Sequence, residues 1–231
     1  MDKLIAEGLA ALCQGSEKTA ALIGPRLSVI ASRLDRYTGE IERFNPRYGL
    51  VKVRDRAELV TRHIFDSLAP LEHIAGLLQN GGPLADAGSG AGLPGIPLAI
   101  CLPGVPVTLI ERSGRRANFL RNTLAVLGLS SVTVEETEME RSAPGRFGVV
   151  TFRAFHPLER TLLRSLFRLL LPAGPSSPAG VLAAYQGRRE KTLAELETAL
   201  EAGSGGAELI PLSVPFLKEE RHLAVIRPGK N

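Results

Sequence analysis

Apolar residues recur at helical spacing through the first eighty positions and in short runs after that. Leu27, Ile30, Leu34 and Ile41 mark one helical face, with arginines between them, and Pro25 suits a helix start. The pattern pauses after Asn45-Pro46 and resumes with Val60, Ile64, Leu68 and Leu71, again one face of a helix. Gln79-Asn80-Gly81-Gly82-Pro83 is a break. Beyond it, strands are expected over 84–87, 107–110, 132–134, 147–152 and 181–185. Helices are expected over 113–127, ended by Gly128, over 158–171, stopped by Pro172, and over 191–200. The tail reads as two strands, 209–216 and 222–226, with a polar link.

Strand–helix alternation predicts an α/β architecture, a doubly wound and mainly parallel sheet. Two consecutive strands at the end break the alternation and point to an antiparallel closing hairpin. The expected division is a helical extension over 1–78, packed on a single α/β domain over 79–231. Such sheets take ligands at the carboxyl ends of their strands, near the switch point. Pro172, Gly174, Pro175, Pro178 and Gly180 mark one long loop, and there is no fixed internal period that would indicate a solenoid.

Composition narrows the field only modestly. The 231 residues carry 28 Lys plus Arg against 24 Asp plus Glu, a net charge of +4, compatible with a nucleic-acid partner without demanding one. Two cysteines, Cys13 and Cys101, cannot build a disulfide framework or a four-cysteine zinc site, and the chain is expected in the reducing cytoplasm. No apolar run approaches the ~20 residues of a membrane span. Met1-Asp2-Lys3-Leu4 opens a short apolar stretch with no signal-peptide cleavage pattern. The absence of Trp argues against an aromatic platform for single strands.

The most informative stretch is Asp86-Ala87-Gly88-Ser89-Gly90-Ala91-Gly92-Leu93-Pro94-Gly95. A strand ends in a carboxylate, and glycines follow at alternate positions, where the backbone must turn sharply and approach a ligand. Gly90-x-Gly92-x-x-Gly95 formally matches a dinucleotide fingerprint, with Glu111 placed as its ribose-binding acid. The same residues match the Asp-x-Gly-x-Gly-x-Gly turn of S-adenosylmethionine methyltransferases. Asp86 favours the second reading, because a carboxylate against the loop repels a pyrophosphate and attracts a cation. The alternatives are therefore a class I methyltransferase of unspecified substrate and a nucleotide-binding oxidoreductase or regulatory module.

Six dispersed segments resemble the bacterial 16S rRNA (guanine-N7) methyltransferases, the glucose-inhibited division protein B family. They are Glu42-Arg43-Phe44-Asn45, Arg62 to Leu68, Asp86 to Pro97, Gly114-Arg115-Arg116-x-x-Phe119-Leu120, Arg153-Ala154-Phe155 and Glu220 to Ile226. The resemblance implies a Rossmann-like class I methyltransferase fold with a seven-stranded sheet and an antiparallel closing strand. It implies S-adenosylmethionine as cofactor, held by Asp86, Gly88, Gly90, Leu93 and Glu111, with Met139 and Glu140 beside the adenine and Arg153 after the fourth strand. It implies 16S ribosomal RNA or the small subunit as partner, to an enzyme expected to be a monomer. The chain departs from the family pattern at Gly49-Leu50-Val51, usually Asn-Leu-Thr, and at Gln186-Gly187, usually Lys-Gly.

Guanine N7 carries a free lone pair, so neither a general base nor a metal is expected; catalysis is expected to rest on alignment. The histidines, His63, His73, His156 and His222, read as structural by default, with Asp66 placed one turn after His63 to orient it. Arg112, Arg115, Arg116 and Arg121 form an acid-free run, and Arg153, Arg160, Arg164 and Arg168 a second stripe. Arg115, Arg116 and Arg221 are the candidate RNA contacts.

Overall fold

The computed structural model describes residues 2–79, 81–153, 159–175, 178–187, 189–190, 192, 196–197 and 204–229. Seven strands form one sheet in the order β3-β2-β1-β4-β5-β7-β6. They are β1 (Leu84–Ala87), β2 (Val107–Ile110), β3 (Val132–Glu135), β4 (Val149–Arg153), β5 (Val181–Gln186), β6 (Ser204–Leu212) and β7 (Arg221–Pro228). The first five pair in parallel, and β7 inserts antiparallel between β5 and β6. The doubly wound sheet with its antiparallel closing pair is thus as the pattern predicts, and the order reverses between β1 and β4. β6 begins earlier than expected, at Ser204, in a polar Gly-rich stretch. It is an edge strand that pairs with β7 alone, so backbone bonding and not alternating burial defines it.

Strand parity sorts the core into two faces. Leu84 and Asp86, Val149 and Thr151, Ala183 and Tyr185, Leu223 and Val225 lie on one face; Ala85, Ala87, Val150, Phe152, Leu182 and Ala184 lie on the other. Helix α9 (Arg160–Leu169) covers the second face with Leu163, Leu166 and Leu169. The first face is covered by α7 (Gly95–Cys101), α8 (Gly114–Leu127) and the N-terminal helices. Ile5, Leu9, Ile30, Leu34, Ile41, Ile64 and Leu68 belong to the same buried cluster as Leu109, Ala183 and Val225, so the N-terminal helices and the sheet share one core.

Those helices are α1 (Lys3–Gly15), α2 (Glu17–Ile23), α3 (Leu27–Tyr48), α4 (Arg56–Leu59), α5 (Asp66–Leu68) and α6 (Leu71–Leu78). The pause expected at Asn45-Pro46 comes later. Pro46 lies in the last turn of α3, where the helix forfeits few hydrogen bonds, and the end is closed at Gly49. There the Asn45 carbonyl accepts the Gly49 N–H and its side-chain oxygen accepts the Val51 N–H, each at 2.9 Å. Between α4 and α5 the chain makes a π turn over Val60–Phe65. Of the expected helix over 191–200 only residues 192, 196 and 197 are described, all three helical; Leu158, the Ala154-Phe155 part of one family segment and His156 lie outside the described residues. Among the described residues no helix is long and apolar enough to cross a membrane.

Candidate active site

The loop after β1 is held by its own backbone. Gly88, Gly90 and Gly92 take φ of 66°, 58° and 92°, values that favour glycine. The Ser89 N–H donates to the Ile110 carbonyl at 3.1 Å, and the Gly92 and Leu93 N–H groups donate to the Ser89 carbonyl at 2.7 and 3.1 Å. The Gly90 N–H donates to Glu111 Oε2 at 2.9 Å, and the Ser113 N–H to Glu111 Oε1 at 2.8 Å. The Gly95 N–H donates to Asp86 Oδ2 at 3.0 Å, and a Cβ at Gly95 would lie 2.8 Å from that oxygen. The fully buried Tyr37 of α3 donates its hydroxyl to the Ala91 carbonyl at 2.8 Å, pinning the loop to the N-terminal helices.

These bonds discriminate between the two ligand readings. A pyrophosphate cradle needs free N–H groups, and here five of the loop's are engaged within the chain, two of them by carboxylates. What the loop offers instead is carboxylate chemistry. Glu111 is 5% exposed, and each of its oxygens keeps a second lone pair for a hydroxyl. Asp86 is 1% exposed, lies on the sheet face toward α7 and braces the loop. Burial pushes its carboxyl up to about 7, against the stabilising bond from Gly95.

Two cavities open at the carboxyl ends of the strands on the two sides of β1. One, of about 480 Å³, adjoins β2 and β3 and is lined by Arg112, Ser113, Glu136, Thr137, Glu138 and Arg141. Met139 and Glu140 are not in its wall. Met139 packs against the core on the α9 side, and Glu140 is exposed. The carbonyls of Met139, Glu140 and Ser142 instead accept from Arg168 Nη2 at 3.3, 2.7 and 2.7 Å. Arg168 therefore braces the turn that carries this wall while remaining at the surface, where its spacing placed it.

The other cavity, also about 480 Å³, adjoins the ends of β4 and β5 and the start of β7; its wall includes His63, Asp66, Arg153, Tyr185, Gln186 and Arg221. Parity brings Arg153, Tyr185 and Arg221 onto the sheet face that the π turn covers. Asp66, 6% exposed, accepts from Arg153 Nη1 at 3.1 Å and from Arg221 Nε at 2.9 Å. Arg153 Nη2 lies 2.7 Å from His63 Nδ1. Burial, with the Arg153 charge next, pushes His63 down to about 4. Tyr185 donates its hydroxyl to the Ser67 carbonyl at 3.0 Å, and burial holds its phenol neutral.

The structure thus brings Asp86, Gly88, Gly90 and Glu111 to one loop, with Arg153 at the adjoining strand end. The Leu93 side chain is buried, and its N–H is spent on the Ser89 carbonyl. Arg221, selected above as an RNA contact, is paired inward with Asp66. Arg115 is exposed, its guanidinium 6.0 Å above the Tyr48 ring, and Arg116 is half-buried. Tyr37 and Tyr185 carry structural roles that no motif marked, whereas Asp66, in a matched segment, pairs with Arg153 and Arg221 and not with His63, which its spacing had it orient.

Comparisons agree with this geometry. A family description, GidB: rRNA small subunit methyltransferase G, matches residues 30–224. A curated "Ribosomal RNA small subunit methyltransferase G" of Stenotrophomonas maltophilia is 41% identical over 201 residues, covering 86% of this chain and 87% of that protein. One of the same name from Treponema pallidum is 38% identical over 227 residues, covering 96% and 92%. Among solved structures, a putative S-adenosyl-L-methionine-dependent methyltransferase of Methanococcus maripaludis superposes with TM-score 0.56 at 14% identity, covering 79% of this chain and 99% of that one. Magnesium protoporphyrin IX methyltransferase of Synechocystis, crystallised with bound SAM, gives TM-score 0.52 at 16% identity, with 83% and 97% covered. The likeness to these two structures concerns the fold alone.

Proposed function

We propose that this chain, which belongs to the rRNA small subunit methyltransferase G family, transfers a methyl group from S-adenosylmethionine to N7 of a guanine in 16S ribosomal RNA. The observation that carries the reading is the loop itself: its N–H groups are spent internally, and two carboxylates flank it, an arrangement suited to a ribose and a cation and unsuited to a pyrophosphate.

S-adenosylmethionine, when bound, supplies a methyl group already activated by its sulfonium. The chain's own residues do the rest. Glu111 accepts the ribose hydroxyls while Gly90 and Ser113 hold it in place. Gly88, exposed at the tip of the loop, and the Leu93 backbone line the path of the ligand. The turn over 136–141, braced by Arg168, forms the adenine side, with Met139 and Glu140 behind the wall. Arg153, at the end of β4, stands between the loop and the second cavity, which receives the base. N7 has a lone pair and no proton, so the site needs alignment rather than a base, a contribution of up to roughly 7–11 kcal/mol.

The small subunit is the proposed substrate particle, and the monomer the proposed unit. Residues 1–78 and 79–231 act together, since Tyr37 and the π turn of the first part complete the site of the second. Arg115 and Arg116, beside the first cavity, are the proposed phosphate contacts. Calorimetry separates this reading from its alternative: S-adenosylmethionine binds and NAD does not. Incubation of labelled S-adenosylmethionine with unmodified small subunits then places label in RNA; label only in ribosomal protein would overturn the substrate assignment.

A further inference from the structure

Resting on the reading above, we infer that His63 is the residue that tells guanine from adenine, donating its Nε2–H to guanine O6. The Arg153 guanidinium has donors and no acceptor, and its Nη2 lies 2.7 Å from His63 Nδ1. Nδ1 is therefore the acceptor, and the ring proton resides on Nε2. The tautomer is fixed by geometry, and the low affinity of this buried ring for a second proton agrees with it. Among the described residues Nε2 has no hydrogen-bond partner, and His63 lines the cavity beside the end of β4.

The carboxylates near His63 are paired with guanidinium groups. Both Asp66 oxygens take guanidinium donors, and Glu58 is paired with Arg54 and Arg62 at 3.2 and 3.3 Å. With Lys52, Arg62, Arg153 and Arg221 against Glu58 and Asp66, the wall about His63 is rich in donors. The Hoogsteen edge of guanine offers two acceptors, N7 and O6, whereas adenine replaces O6 with a donating amino group. A fixed Nε2–H accepts O6, leaves N7 free toward the methyl donor, and meets the adenine amino group donor to donor. The π turn over Val60–Phe65 is what sets His63 and Asp66 on either side of Arg153. Such turns recur at functional sites.

The test uses small subunits reconstituted with guanosine, inosine or 2-aminopurine riboside at the position that the enzyme labels. Inosine keeps O6 and N7; 2-aminopurine keeps N7 and lacks O6. With the unaltered enzyme, kcat/KM should be similar for guanosine and inosine and about tenfold lower for 2-aminopurine, the worth of one hydrogen bond. His63→Phe should lose that factor on the first two substrates and nothing further on the third, while His63→Gln, which keeps an amide donor, should restore the preference. An equal loss on all three substrates would assign His63 a merely structural role and overturn the inference alone. No transfer to guanosine by the unaltered enzyme would defeat the functional reading itself. Independently of any variant, nitrogen-15 spectra of the free enzyme near neutral pH should show the Nε2–H tautomer. An Nδ1–H ring or a charged one would overturn the inference.

Discussion

The buried carboxyl of Asp86 makes a prediction about stability that can be worked from the structure. Its folded pKa is about 7, against 3.8 when unperturbed, chiefly because burial removes it from water. A carboxyl raised in the folded state binds its proton more tightly there than in the unfolded chain. Its contribution to stability is full below the unfolded pKa and is lost as pH rises through the folded one. At 1.36 kcal/mol per unit the whole loss is about 4 kcal/mol, of which about 3 kcal/mol falls between about pH 5 and pH 8. Asp86→Asn imitates the protonated form: its side-chain oxygen still accepts the Gly95 N–H, and its amide faces Thr151 Oγ1, which lies 3.4 Å from Asp86 Oδ1. Urea unfolding of both proteins across this range is the assay. The unfolding free energy of the parent, minus that of the variant, should fall by about 3 kcal/mol, a midpoint shift on the order of 1 M urea. Every other titration, that of His63 included, cancels in the difference. Parallel pH profiles would refute the reasoning, since they would mean that Asp86 ionises in the fold as freely as in the unfolded chain.

Other consequences are as direct. Gly95→Ala would place a Cβ 2.4 Å from Leu109 Cδ2 and 2.8 Å from Asp86 Oδ2, so it should destabilise the fold by about 1–3 kcal/mol and weaken S-adenosylmethionine binding, read by calorimetry. Asp66→Ala strands Arg153 and Arg221, each about one-fifth exposed, and should lower unfolding free energy by roughly 3–5 kcal/mol in urea titrations. Arg168→Ala frees three carbonyls of the turn over 139–142; S-adenosylmethionine affinity should fall about tenfold with little change in melting temperature, and unchanged affinity would remove Arg168 from the account. Replacing Arg115 and Arg116 together should reduce the slope of log binding against log salt by roughly 1.4–1.8 on small subunits.

Much of the framework was legible in the sequence, for a physical reason. The inner strands β1, β2, β4 and β5 are buried on both faces and so read as apolar runs, and the loop after β1 needs glycines wherever φ is positive. Glu111 was placed by its position at the end of β2. Partnership was not legible. Arg221 and Arg168 look like surface cations in a linear pattern; one is spent on Asp66 and the other on three carbonyls far along the chain. Strand parity decides that Arg153, Tyr185 and Arg221 share a face, and the topology decides that the π turn covers it. Tyr37 was hidden in the apolar stripe of α3, where its hydroxyl leaves no periodic signature. Met139 and Glu140 were carried over from the family resemblance, and in the 3₁₀ turn at Met139–Arg141 neither lines the first cavity, whose wall neighbouring residues form.

The central claim is that the loop and its flanking cavities place a methyl group on the N7 of guanine and on no other ribosomal atom. Small subunits lacking the modification, incubated with labelled S-adenosylmethionine, should acquire label at a single guanosine of 16S RNA, and reduction followed by aniline should cleave the chain there, as N7-methylation requires. Label that survives aniline treatment, or that sits on another base or on the ribose, would contradict the account.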